Sequence, residues 1–175
     1  QTYLPEILKF LDHHIIIGHS IEFDINLIRQ EAKRCNISNA LSNIRFIDTL
    51  RLARLYGESP ENSLQKLRAH FNIAEEGAHR AMNDVIVNVE VFKYLTRKFK
   101  TTEEILERLQ RPILLPCMPL GKHKGRKFSE IPEQYLEWAV HQAFDQDLLY
   151  SIKTELKKRR KKDNFSVNTN PFSNL

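Results

Sequence analysis

The chain has 175 residues, enough for one substantial domain plus a small one, and its 41% hydrophobic content is ordinary for a soluble globular protein. The net charge of +5 is localised: residues 1–110 carry 15 Lys/Arg against 15 Asp/Glu, whereas residues 111–175 carry 12 against 7, which points to a polyanionic partner for the C-terminal part. Cys35 and Cys117 stand alone, which argues against a disulfide framework and a thiolate zinc site, and no apolar run approaches a membrane span, so a reducing, cytoplasmic setting without a membrane partner is expected.

In chain order, Leu4, Ile7, Leu8 and Leu11 repeat at helical spacing and predict an amphipathic helix over residues 3–12. Ile15-Ile16-Ile17 is a short β-branched run ended by Gly18, as in a buried parallel strand that stops at a tight turn. His19-Ser20 then opens a helix to about Cys35, with Ser20 as N-cap and with Arg29, Lys33 and Arg34 toward the end that favours cations. A second strand is expected at 44–47, followed by a helix over 50–56 capped by Asp48 or Thr49 and stopped by Gly57. Asn62-Ser63 begins another helix, with Leu64, Leu67 and Phe71 on one side. Gly77 precedes a long helix running to about Phe99, whose Met82, Val85, Val89 and Phe92 are expected to form the core-facing stripe.

After a short helix at 102–109, Pro112, Pro116 and Pro119 fall within eight residues and predict a stiff linker over 111–119 between a first domain, 1–110, and a small basic domain, 120–162. The latter is expected to be α+β: a basic hairpin at Gly121-Lys122-His123-Lys124-Gly125-Arg126, then two helices, one with Tyr135, Leu136, Trp138 and Ala139, the other with Leu148, Leu149, Ile152 and Leu156 and ending in the run Lys157 to Lys162. Residues 163–175 read as a disordered tail.

Chemistry collects where strands end. Asp24 and Asp48 follow the two strands, and His79 with Asp84 opens the long helix, so a base able to take a proton from water near neutral pH accompanies carboxylates able to hold a divalent cation. The series Gly18-His19-Ser20-Ile21-Glu22-Phe23-Asp24, Asp48-Thr49-Leu50, Asn62-Ser63-Leu64 and His79-x-x-x-x-Asp84 with Val91-Phe92 downstream resembles the DnaQ-like (DEDDh) 3′–5′ exonucleases, of the polymerase III epsilon-subunit type, in order and spacing across residues 3–99. The resemblance implies an α/β, ribonuclease H-like fold and removal of nucleotides from DNA or RNA 3′ ends, as in proofreading or processing beside a DNA polymerase subunit. It assigns Asp24 and Asp84 to two metal ions (Mg²⁺ or Mn²⁺), His79 to the general base, and His19 and Phe23 to the site beside the terminal nucleotide.

Two departures stand out. Ser20 replaces the family's usual Asn, and the family's first motif, Asp-x-Glu on its first strand, occurs nowhere in the chain. Residue 1 falls where the family's first helix begins, after its first three strands, so the chain is expected to be the downstream part of a longer enzyme. By itself it is expected to be inactive, with an open strand edge at 15–17 that associates or frays. The C-terminal segment resembles a small domain of uncharacterised function, found alone or appended to such exonucleases. Its Lys122, Lys124 and Arg126 are expected to contact nucleic-acid phosphates, with Tyr135 or Trp138 either stacking on bases or closing a small core. The competing reading is a non-enzymatic nucleic-acid or polymerase-tethering module. A zinc hydrolase built on the seven histidines finds no His pair at metal-binding spacing on a helix.

Overall fold

The computed structural model describes residues 3–37, 41–59, 61–74 and 80–168, in two units, 1–111 and 112–175. The first unit runs α1 (Leu4–Leu11), β1 (Ile15–Gly18), α2 (Ile21–Arg34), β2 (Arg45–Asp48), α3 (Thr49–Tyr56), α4 (Leu64–His70), α5 (Arg80–Thr96) and α6 (Thr102–Gln110). The strands pair in parallel, in register from Ile15 opposite Arg45 to Gly18 opposite Asp48. Parallel neighbours need a crossover, which α2 supplies. The register therefore brings the carboxyl ends of both strands, and the helices that leave them, side by side.

Each exit from the sheet has a local cause. Gly18 lets α2 start close, since a Cβ there would lie 2.9 Å from the Ile21 Cβ. Ser20 sits at the N-cap of α2 in the left-handed region (φ 59°), and its hydroxyl caps nothing; its backbone N–H donates instead to the Asp48 carboxylate at 3.0 Å. Asp48 also caps α3 by accepting from the Leu50 N–H at 2.8 Å. One carboxylate thus fastens both strand-to-helix turns.

The core of this unit gathers Ile47 of β2, Leu52 and Ala53 of α3, Leu67 of α4, Val87, Val91 and Leu95 of α5, and Ile105 and Leu109 of α6. The buried stripe on α5 is thus Val87, Val91 and Leu95, which corrects the stripe expected from the sequence. Met82, Val85 and Val89 are exposed and Phe92 is half-buried. Helix α5 is apolar on almost every face, so periodicity does not select the inward one, and the polar Asp84 and Asn88 lie beside that buried stripe at helical spacing. Exposed apolar side chains also occur on α1 (Ile7, Phe10), at Ile17 of β1 and on α2 (Phe23, Leu27). The face expected to be amphipathic on α1 buries no residue.

In the second unit the 3-10 turns Gly121–His123 and Phe128–Glu130 precede α7 (Glu133–Ala139) and α8 (Gln146–Asn168). Three expectations are corrected here. The segment expected as a linker belongs to this unit from Pro112 onward. Ile113, Leu115 and Met118 are buried between the prolines, and the Ile113 and Leu115 N–H groups donate to Asp147 Oδ1 (3.0 Å) and Ser151 Oγ (2.8 Å) of α8. The basic segment contains a 3-10 turn in place of paired hairpin strands, closed by one antiparallel bridge between Cys117 and Lys127. Helix α8 extends to Asn168, into the stretch read as a disordered tail. Leu136, Ala139, Leu148, Ile152 and Leu156 supply the helical side of the core, with Met118, Phe128 and Ile131 from the turns. Arg159, within the basic run, pairs with Glu155 (3.0 Å) and donates to the carbonyls of Phe128 and Ile131, both at 2.9 Å, so this cation ties α8 to the second turn. No helix among the described residues is long and apolar enough to cross a membrane.

Candidate functional site

The carboxyl ends of β1 and β2 carry a chain of polar contacts that reaches α5. His19 Nδ1 lies 3.1 Å from Thr49 Oγ1, and Thr49 Oγ1 lies 2.6 Å from Asn88 Oδ1 and 3.2 Å from the Gly18 carbonyl. The contact to Asn88 is the shortest of the three, and the His19 ring nitrogen meets the same hydroxyl oxygen. Thr49 is fully buried and cannot leave these groups unpaired without cost. Asp84 precedes Asn88 by four residues and therefore occupies the same helix face one turn nearer the N-terminus of α5. Its Oδ1 accepts from Gln65 Nε2 of α4 at 3.2 Å.

Burial dominates the electrostatics. The His19 pKa is lowered, first by desolvation and then by the Arg54 guanidinium, with the Asn62 backbone carbonyl opposing both, so the imidazole is neutral at neutral pH. The Asp48 carboxyl is raised by desolvation, partly offset by the backbone N–H groups of Ser20, Leu50 and Arg51 and by Arg54. Both side chains are held by the frame. His19 orients the turn that leads into α2, while Asp24, one turn into that helix from Ser20, is exposed and so is Phe23 beside it.

The structure thus places Asp24, His19 and Phe23 at the carboxyl end of β1, and it ties α5, which bears Asp84, to the same end of the sheet through Asn88. His79 lies outside the described residues. Lys122, Lys124 and Arg126 are exposed on the second unit. Asn88 and the buried role of Thr49 escape sequence reading; an Asn four residues after Asp84 on an apolar helix is the signal that marks the first. Two carboxylates from separate helices are hard oxygen donors suited to Mg²⁺ or Mn²⁺, but they do not complete an octahedral shell. Among the described residues no group of three or more His, Cys, Asp or Glu side chains is assembled to hold a cation.

Comparison with known proteins decides between an exonuclease and an unrelated α/β frame. The family model described as Exonuclease matches residues 1–92, more than half of the chain. The chain belongs to the exonuclease family. Membership in the exonuclease family implies a ribonuclease H-like fold, of which β1, α2, β2 and α3 form a parallel portion, and the family generally uses divalent metal ions. Among curated relatives, DNA polymerase III subunit epsilon of Aquifex aeolicus is 32% identical over 93 residues, covering 53% of this chain and 45% of that one. A PolC-type DNA polymerase III of Clostridium perfringens is 28% identical over 103 residues (58% and 7%), and a protein named 3′-5′ exonuclease DinG of Staphylococcus haemolyticus is 28% identical over 96 residues (54% and 10%). The chain therefore spans less than half the length of each of these relatives. A second model, described as "Putative quorum-sensing-regulated virulence factor", matches residues 103–154, a description that names no chemistry. No solved structure matches.

Proposed function

We propose that this chain is part of a 3′–5′ exonuclease that removes nucleotides from DNA 3′ ends in proofreading or processing, in partnership with a DNA polymerase. The observation that carries the proposal is the part-buried link His19–Thr49–Asn88, which ties α5, the helix bearing Asp84, to the strand ends from which Asp24 departs. The relatives named for DNA polymerase III and for a 3′-5′ exonuclease support the substrate and the polymerase association.

In this reading Asp24 and Asp84 contribute ligands to the divalent cations, which supply electrostatic stabilisation to a phosphodiester under attack. His79 takes the proton from the attacking water. Phe23, exposed beside Asp24, packs against the terminal nucleotide, and His19, fixed in its neutral form, keeps the turn before α2 in position. Lys122, Lys124 and Arg126 add phosphate contacts on the second unit. The remaining ligands belong to an Asp-x-Glu segment elsewhere in the complete enzyme, so the 175-residue chain by itself is inactive.

The test is trimming of a 3′-labelled oligonucleotide with Mg²⁺ or Mn²⁺. In the complete protein Asp24→Asn and Asp84→Asn each reduce the rate by at least about a hundredfold, whereas the chain alone trims negligibly. Unchanged trimming by the Asp84→Asn complete protein overturns the role assigned to Asp84, and absence of trimming by the unsubstituted complete protein overturns the exonuclease reading and leaves a nucleic-acid or polymerase-tethering module. Brisk Asp84-dependent trimming by the chain alone overturns the claim that it is only part of the site.

A further inference from the structure

The second unit presents a basic turn laid against an aromatic platform. Residues 122–127 bear four exposed cations, Lys122, Lys124, Arg126 and Lys127. The turn is fixed by its own backbone: the Lys124 N–H donates to the Gly121 carbonyl (3.1 Å), the Arg126 N–H to the His123 carbonyl (3.1 Å), the Gly125 N–H to the Met118 carbonyl (2.8 Å) and the Met118 N–H to the Arg126 carbonyl (2.9 Å). Gly121 has φ 73°, and a Cβ there would stand 3.1 Å from the Tyr135 hydroxyl, so the turn approaches the ring as closely as a glycine allows.

Three rings continue from the turn. His123, almost wholly buried, meets Tyr135 edge-on at a centroid separation of 4.5 Å, and Tyr135 meets Trp138 at 5.3 Å with the planes tilted by 45°. The Lys122 ammonium stands 5.1 Å from the centre of the Tyr135 ring. The small core closes around Leu136 and Ala139 of the same helix, and Trp138 remains 53% exposed, so burial does not account for the indole. A large exposed aromatic next to fixed cations is the combination that single-stranded nucleic acids select, with bases stacking on rings and phosphates meeting Lys and Arg.

We infer that the second unit binds a single nucleic-acid strand, with a base stacked on Trp138 beside Tyr135 and the adjoining phosphates held by Lys122 and the basic turn. The choice of nucleic acid over an anionic membrane surface rests on the exonuclease reading of the first unit; the geometry of the platform does not. Site size is a few nucleotides, as expected for one compact platform. The preference for a single strand follows from the need for an unstacked base.

The sole tryptophan of the chain makes the inference directly measurable. The full chain is titrated with oligo(dT) and oligo(rU) of about 12 nucleotides in EDTA, where no metal-dependent trimming occurs, so this result stands or falls apart from catalysis. Saturable quenching of Trp138 is expected, with an affinity that falls as salt rises and a salt slope reduced by about 0.7 in Lys122→Gln. Trp138→Ala, followed by anisotropy of a labelled strand, lowers affinity about tenfold, and Trp138→Phe retains most of it. The indole is exposed, so circular dichroism of both variants should match the parent.

Equal response to dT and rU marks the shared base-and-phosphate chemistry, and a preference between them identifies the natural strand; both support the inference. Strand binding without quenching and unaffected by Trp138→Ala, equal competition by a blunt duplex, quenching by phosphatidylserine vesicles in place of oligonucleotides, or no binding at about 50 mM salt overturns it.

Discussion

Replacing Asp48 tests whether one carboxylate organises both turns at the candidate site. The side chain is 6% exposed and accepts from the Ser20 and Leu50 N–H groups at 3.0 and 2.8 Å. Asp48→Ala removes an N-cap, worth about 1 kcal/mol, and leaves the Ser20 N–H without its partner, which costs about 1–3 kcal/mol more; relief from burying a charge offsets part. A net loss of about 2–3 kcal/mol is expected. Asp48→Asn keeps an acceptor oxygen and should lose about half as much. The pH dependence gives a sharper check. Burial raises the carboxyl above its ordinary 3.8, so the stabilisation that comes with protonation is complete below that value and is lost as pH rises through the folded-state pKa. The stability gap between the parent chain and Asp48→Asn should therefore be widest at the acid end and narrow as pH rises toward 7. Urea unfolding followed by far-ultraviolet circular dichroism measures it, since Trp138 lies in the other unit. A gap that stays constant or widens with pH refutes the reasoning.

Ser20 sits at φ 59°, where Asn is more at ease than Ser, so Ser20→Asn should stabilise the chain by about 0.5 kcal/mol and Ser20→Val should destabilise it by about 1–2 kcal/mol in the same unfolding assay. The His19 pKa is lowered from 6.5, so the stability this residue contributes is present above that value and lost as pH falls through the folded-state pKa; in His19→Gln the slope of stability against pH just below 6.5 should flatten. Asp147→Ala strips the acceptor from the buried Ile113 N–H and should cost about 3 kcal/mol in thermal unfolding monitored by Trp138 fluorescence. A near-neutral result there would mean that the segment before Met118 is not part of the second fold.

Much of the frame was legible because its signals are local. Ile15 to Gly18 reads as a strand from β-branching and a terminating glycine, and Asp48 or Thr49 reads as a cap from its place before an apolar helix; both features depend on a few neighbouring residues. The inward face of α5 was not legible, because Met82, Val85, Ile86, Val87, Val89, Val91 and Phe92 supply apolar atoms on every side and only tertiary packing chooses among them. The prolines at 112, 116 and 119 misled for a related reason. They exclude helix but not burial, and the apolar Ile113, Leu115 and Met118 between them carry the packing information. At the site, Asp24 and Asp84 were visible as motif residues, whereas the contact of Thr49 with Asn88 spans 39 positions and has no local signature.

The boundary between the units falls at Pro112. Arg51 of α3 donates to the carbonyls of Leu109 and Arg111, and two residues later the Ile113 N–H is already bound to Asp147. Between these anchors stands Pro112, whose ring fixes its own φ, while Arg111 adopts the extended backbone (φ −87°, ψ 137°) that a following proline demands. The backbone on each side of Pro112 is therefore anchored within its own unit. Because the units share one chain, a strand released by either would stay tethered while the other still held it, the condition under which linked binding modules gain avidity.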